Sequence, residues 1–219
     1  MCRDNLRIET WAAIFDPERM LMTIETKDHL LLARELACQM KLSHGKKLAF
    51  ILGNLIPDFN PFSYITFWEH NRFGGHSYRF RKNMIQNYCT GKFRKTILGW
   101  YRTGEMMHFL TDSFTRPHNE EFNYPVKDHV RYEHMLHGYF KNDLQQGELE
   151  EAFLRARLKG ASGRQIQAVH EKYLKESGGV PEDIRYILET TAAVCVYLKE
   201  INRKEAYLDL DLLASGDKI

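Results

Sequence analysis

Wherever this chain carries a regular apolar pattern, the pattern has helical spacing and ends at proline or glycine. In DHLLLARELACQMKL (28–42) the apolar side chains return every three or four residues, and Asp28 is the expected N-cap. Ser43 opens a second helix that runs to about Ile56. It stops at PDFNP (57–61), where two prolines and an asparagine predict a loop. The aromatic stretch 61–75 has no clear period and ends in Gly74-Gly75. Helices are then expected over 76–90, stopped by Gly91, over 92–115, and from Pro125 to about Gln146. Two short charged helices follow, 148–158 and 163–176, and Pro181 stands near the start of a last one, 182–204. No segment shows the period-two alternation of a half-buried strand, and no internal repeat is visible. The expected fold is all-α, a single-domain bundle of about seven or eight helices, with any site built from side chains on facing helices.

A length of 219 residues suffices for one well-buried domain. A formal net charge of +2 gives no ground for a wholesale nucleic-acid binder or a polybasic membrane protein. Cys2, Cys38, Cys89 and Cys195 are far apart and show no CxxC spacing, so thiols rather than disulfides or a cysteine zinc site are expected. The stretch MCRDNLRIETWAAIFDPERMLM has no apolar run of signal-peptide length, and no segment approaches bilayer-spanning length. The expectation is a cytoplasmic protein, with secretion left open. Residues 1–22 are read as an N-terminal extension and 23–219 as the helical domain.

The chemistry-bearing residues cluster around HFLTDSFTRPHN (108–119). His108 and Asp112 are four apart, which puts them on one helix face, and His118 follows directly after Pro117, where a helix ends or kinks. In VKDHVRYEHMLHGYF (126–140), His129 and Glu133 repeat the same spacing. His29 opens the first long helix, Asp58 sits in IPDF, and His76 follows the double glycine. One such pair is ordinarily a surface pair or a satisfied histidine. Two pairs within twenty-six residues, joined by His118, point to a metal site between helices. Imidazole plus carboxylate suits zinc, and the lack of cysteine ligands suggests a catalytic or multinuclear site rather than a closed structural one.

These segments resemble the zinc-dependent bacterial phospholipases C, which are related in fold to the fungal single-strand-specific zinc nucleases. The central motif of that family is His-aromatic-x-Gly/Thr-Asp, five residues, then His. HFLTDSFTRPH fits it at His108, Phe109, Thr111, Asp112 and His118. HVRYE resembles the next element at His129, Tyr132 and Glu133, while HLLLARELA, GNLIPDF and RFGGHSY resemble the segments around His29, Asp58 and His76. The resemblance covers residues 29–133 in family order. The chain departs from it in having Pro117 immediately before His118, in a short His118–His129 interval, and in Trp11 lying well before His29.

The resemblance implies up to three zinc ions. One would be held by Asp58, His76, His108 and Asp112, a second by His118, His129 and Glu133, and a third by His29 with Asp112 as a bridge. In the family a processed N-terminal residue, usually Trp, completes that third site. The expected start of translation is then Met20 or Met22, and loss of Met22 would leave Thr23 as a free amine near His29. The implied activity is phosphodiester hydrolysis of the phospholipase C type, a metal-activated water attacking phosphorus with Asp58 orienting or deprotonating it. The substrate would be a phosphate ester, a phospholipid headgroup first, with peripheral membrane contact and with nucleic acid left open.

Phe59, Phe62, Tyr64, Phe67 and Trp68 form either a substrate wall, by cation–π contact or base stacking, or plain core. YRFRK (78–82) either attracts phosphate or is a solvated helix face. His134, His137 and His170 are expected at the surface, and Met106 and Met107 in the core. The alternatives to a phospholipase are a nuclease or phosphomonoesterase on the same fold, and a non-catalytic metal-binding helical protein. No His-Asp dipeptide and no HExxH pattern occurs. The sequence leaves the oligomeric state unknown.

Overall fold

The computed structural model describes residues 24–63, 75–90, 95–122, 126–159, 165–176 and 178–215. Among these it has eight α-helices and no strand: α1 (Ile24–Gln39), α2 (His44–Phe59), α3 (Tyr78–Thr90), α4 (Ile97–Asp112), α5 (Val126–Gln146), α6 (Glu148–Lys159), α7 (Ile166–Glu176) and α8 (Val180–Ser215). Short 3-10 turns cover Pro61–Ser63, Arg116–His118 and Glu120–Phe122. None of these helices is long and apolar enough to cross a membrane. The bundle is therefore the all-α fold expected, with candidate metal groups between its helices.

Helix α4 is the axis of the bundle. Its C-terminal half, from Met106 to Asp112, is buried all round, including His108 and Asp112. A helix without a solvent face needs partners on every side. Helix α2 supplies the largest share, and α3, α8 and α1 cover the rest. Met106 and Met107 are core, as expected.

Several boundaries differ from expectation for identifiable reasons. Asp28 does not cap α1; it lies inside the helix, buried, and accepts a hydrogen bond from His137 Nδ1 at 2.6 Å. Ser43 does precede α2, but that helix continues through Pro57 and Asp58 to Phe59. Pro57 sits in the last turn, where its missing N–H costs one bond, and Asn60 N–H closes the end on the Ile56 and Pro57 carbonyls. Helix α4 starts at Ile97 rather than 92, because Thr96 caps it by accepting from Gly99 N–H at 3.0 Å. It stops at Asp112 rather than 115. Pro117 has no N–H for the Ser113 carbonyl, and Asn119 Nδ2 donates to that carbonyl instead, at 3.0 Å.

Cys89 and Cys195 are free and buried, whereas Cys38 is disulfide-bonded, contrary to expectation. His170 is buried rather than exposed, and His137 is half-buried against Asp28, while His134 is at the surface.

Candidate metal centre

Two glycines determine how closely the helices of the site approach. A Cβ on Gly53 would stand 1.9 Å from the Tyr101 carbonyl oxygen, and one on Gly104 would stand 2.0 Å from the Phe50 carbonyl oxygen. The backbones of α2 and α4 are thus in contact, with no room for a side chain between them. One turn beyond Gly104, His108 faces α2 and its Nδ1 donates to the Asn54 carbonyl at 2.9 Å. That carbonyl can only accept, so the assigned tautomer is Nδ1–H and Nε2 is left as a bare lone pair.

The same reasoning applies to two more rings. Ser63 Oγ–H is committed to the carbonyls of Pro57 and Asn60, both at 2.6 Å. Toward His76 Nε2, 2.9 Å away, Ser63 Oγ is therefore the acceptor, which puts the His76 proton on Nε2 and a lone pair on Nδ1. Thr115 Oγ1–H donates to the Asp112 carbonyl at 2.9 Å and accepts from His118 Nδ1 at 2.7 Å, leaving His118 Nε2 unprotonated. Each imidazole is oriented by a hydrogen bond on one nitrogen and offers the other, the arrangement found in metal-ligating histidines.

The offered atoms converge. His108 Nε2 is 3.2 Å from His76 Nδ1, 3.3 Å from Asp112 Oδ2 and 3.5 Å from Asp58 Oδ1, and His76 Nδ1 is 2.9 Å from Asp112 Oδ2. Ligands about 2.0–2.1 Å from a tetrahedral zinc ion stand about 3.3 Å from one another. Lone-pair atoms gathered at this spacing around His108 Nε2, without a proton between them, repel unless a cation stands among them. Asp112 also receives His29 Nε2 on its other oxygen at 3.0 Å, and the His29 ring stacks on His108 at 4.0 Å between centroids. Burial alone would raise the Asp112 carboxyl, yet the positive charge that His108, His118 and His29 carry when protonated holds it well below the usual carboxylate range, so the carboxylate stays ionised and ready for a cation. Burial lowers the His108 pKa, keeping the ring neutral as a ligand must be.

Three overlapping groups could each hold an ion: His29 with His108 and Asp112, Asp58 with His76 and His108, and His76 with Asp112 and His118. Within each group the offered atoms lie within 4.8 Å of one another. The donor set of neutral imidazoles and carboxylates fits zinc.

The family model described as zinc dependent phospholipase C matches residues 28–180, well over half of the chain. The chain belongs to the zinc-dependent phospholipase C family. Comparison with curated proteins and with solved structures gives no match. Membership makes this phospholipase C homologue a zinc-dependent hydrolase in general terms, and the match spans every residue of the three metal groups.

Of the eight metal positions expected from the sequence, six are drawn together: His29, Asp58, His76, His108, Asp112 and His118. Glu133 lies half-buried on α5 and is in none of the three groups, while the His129 side chain lies outside the described residues. His118 stands with His76 and Asp112, and its expected grouping with His129 and Glu133 falls outside the described residues. Phe59 and Phe62 are exposed at 44% and 73%, so they are not core; Tyr64, Phe67 and Trp68 lie outside the described residues. The orienting groups Asn54, Ser63 and Thr115 went unread in the sequence. Only Thr115, three residues before His118, had a local signal.

Two more were missed because they act from outside the motifs. His170 on α7 bonds Asn119 Oδ1 at 2.9 Å, and Asn119 Nδ2 holds the Ser113 and Thr115 carbonyls at 3.0 and 2.8 Å. Asp183 on α8 accepts from Tyr132 Oη at 2.6 Å, so the tyrosine of HVRYE ties α5 to α8. Burial pushes the Tyr132 hydroxyl well above its ordinary pKa, and Asp183 beside it adds to the rise.

Proposed function

We propose that this chain hydrolyses phosphodiesters of the phospholipid-headgroup kind, by attack of an activated water on phosphorus. The observation that carries the reading is the convergence of His76, His108, Asp58 and Asp112 lone pairs at zinc-ligand spacing in a zinc-dependent phospholipase C family member. His29, Asp58, His76, His108, Asp112 and His118, completed by His129 and Glu133, would hold up to three ions, with Asp112 shared between two of them. Zinc in such a site lowers the pKa of water from ~15.7 to about 7 and offsets charge on phosphoryl oxygens.

The chain's own residues do the rest. Asp112 supplies negative charge at the centre, so the site attracts the ions before substrate arrives. Ser63, Thr115 and the Asn54 carbonyl keep three rings in the ligating orientation, so little reorganisation accompanies the reaction. Asp58, in the last turn of α2, orients the attacking water and takes its proton. Phe59 and Phe62, exposed just beyond Asp58, meet the lipid. A catalytic domain from residue 23 onward, peripheral contact with a membrane surface and a cytoplasmic location complete the proposal.

The test is hydrolysis by zinc-loaded protein of phosphatidylcholine vesicles, single-stranded DNA and a phosphomonoester, each with wild type and Asp58→Asn. Release of phosphorylated headgroup by wild type, lost in the variant while its zinc content stays, supports the proposal. Cleavage of DNA or the monoester alone moves the substrate class. No turnover on any of the three leaves a zinc protein without this catalysis.

A further inference from the structure

Arg81 lies in the basic-aromatic run 78–82, which reads from sequence as a phosphate lure or a solvated face. It is neither. Its side chain is half-buried, with Nε donating to the Gly75 carbonyl at 2.6 Å and Nη2 to the Ser63 carbonyl at 2.9 Å. Its guanidinium carbon lies 3.9 Å from the centroid of the Phe109 ring. Ser63 and Gly75 are the two described residues that flank segment 64–74, which carries Tyr64 and Trp68. One planar cation therefore fastens both ends of that segment to each other and seats them on the helix that carries His108 and Asp112.

We propose that Arg81 is a positioning residue for the metal centre. It acts through Ser63 and His76, and the inference rests on the zinc reading above. Gly75 precedes His76 directly, and Ser63 Oγ is the acceptor that selects the His76 tautomer. Holding the Gly75 and Ser63 carbonyls on one guanidinium keeps Ser63 Oγ and His76 Nε2 at 2.9 Å, so that Nδ1 faces Asp112 Oδ2. The demand is for a fork. Two donors in fixed geometry reach two carbonyls while the flat face covers Phe109, and the ammonium of lysine has no plane to stack. Glu105 and Asp112 nearby favour the charged form, against the burial that opposes it more strongly.

The test reads the His76 tautomer first, by nitrogen-15 NMR of histidine-labelled, zinc-free protein, with assignment through His76→Asn. Wild type should show His76 protonated on Nε2; Arg81→Lys and Arg81→Gln should show mixed tautomers. Zinc retention against graded chelator then follows. Both variants should lose affinity by about tenfold to a hundredfold, the usual cost of removing a group that orients a ligand. In Arg81→Ala, millimolar methylguanidinium should restore retention, while methylammonium at equal ionic strength should not. A single wild-type His76 tautomer in folded Arg81→Lys and Arg81→Gln overturns the inference, as does equal rescue by both cations. Wild type that takes up no zinc defeats the zinc reading instead, and the NMR result still decides whether Arg81 holds His76.

Discussion

Gly104→Ala separates local helix preference from the geometry of the site. On propensity alone, alanine in a helix interior gains about 1 kcal/mol over glycine. The structure predicts a net loss. The new Cβ would sit 2.0 Å from the Phe50 carbonyl oxygen and 2.8 Å from Asn54 N, both backbone atoms that no rotamer change can move. To restore even 3.0 Å, α2 must retreat from α4 by about 1 Å. Overpacking of a tight contact costs about 1–3 kcal/mol, enough to cancel the propensity gain and exceed it by up to about 2 kcal/mol. The same retreat stretches the 2.9 Å bond from His108 Nδ1 to the Asn54 carbonyl beyond hydrogen-bond reach and carries Asp58 away from His108. Zinc affinity should then fall by about tenfold to a hundredfold. Urea unfolding of the zinc-free protein reads the first effect, and chelator competition on the loaded protein reads the second. A variant more stable than wild type with unchanged zinc affinity would refute the argument that helix contact builds the site.

Other perturbations read other parts of the account. Asp112→Asn removes a carboxylate common to two of the three groups, so bound zinc should fall by more than one ion, measured by elemental analysis. Burial raises the Asp28 carboxyl to about 6, against His137. Between its ordinary value of 3.8 and about 6 the folded state holds more protons than the unfolded one, so stability falls as pH rises through that window. Asp28→Asn should therefore stabilise zinc-free protein at pH 7.5 by up to about 3 kcal/mol, with a gain in denaturation free energy that shrinks toward pH 4. His170 has the opposite sign. Burial lowers it from 6.5 to about 4, so the unfolded state binds the extra proton and stability drops as pH falls through that range. His170→Phe keeps the ring stacked on Tyr78 but leaves Asn119 Oδ1 without its donor, costing about 1–3 kcal/mol at neutral pH while flattening the acid dependence in the same assay.

Spacing carried much of this molecule. Helical periodicity and the Ser43 boundary were legible because each depends on residues within a turn of one another, and so was the shared face of His108 and Asp112. Pro57 misled because a proline near a helix end is tolerated once later N–H groups close the turn, a matter of position rather than residue type. The depth of the site was hidden for a different reason. Nothing local to Gly53 or Gly104 announces that two backbones will touch there, and the group that orients His108 is a carbonyl, which every residue has. Arg81 and His170 looked like surface residues because their partners, Ser63, Gly75 and Asn119, lie elsewhere in the chain. Sequence read the ligand types; the groups that aim them came from tertiary contact.

The measurement that bears most directly on the central claim is zinc per chain, by elemental analysis of protein purified without chelator or histidine tag. The account predicts two to three zinc ions per chain, lost together with hydrolytic activity on chelation and regained on adding zinc. A value near zero that added zinc does not raise would contradict it, because the converging lone pairs of His76, His108, Asp58 and Asp112 would then have no cation to hold them together.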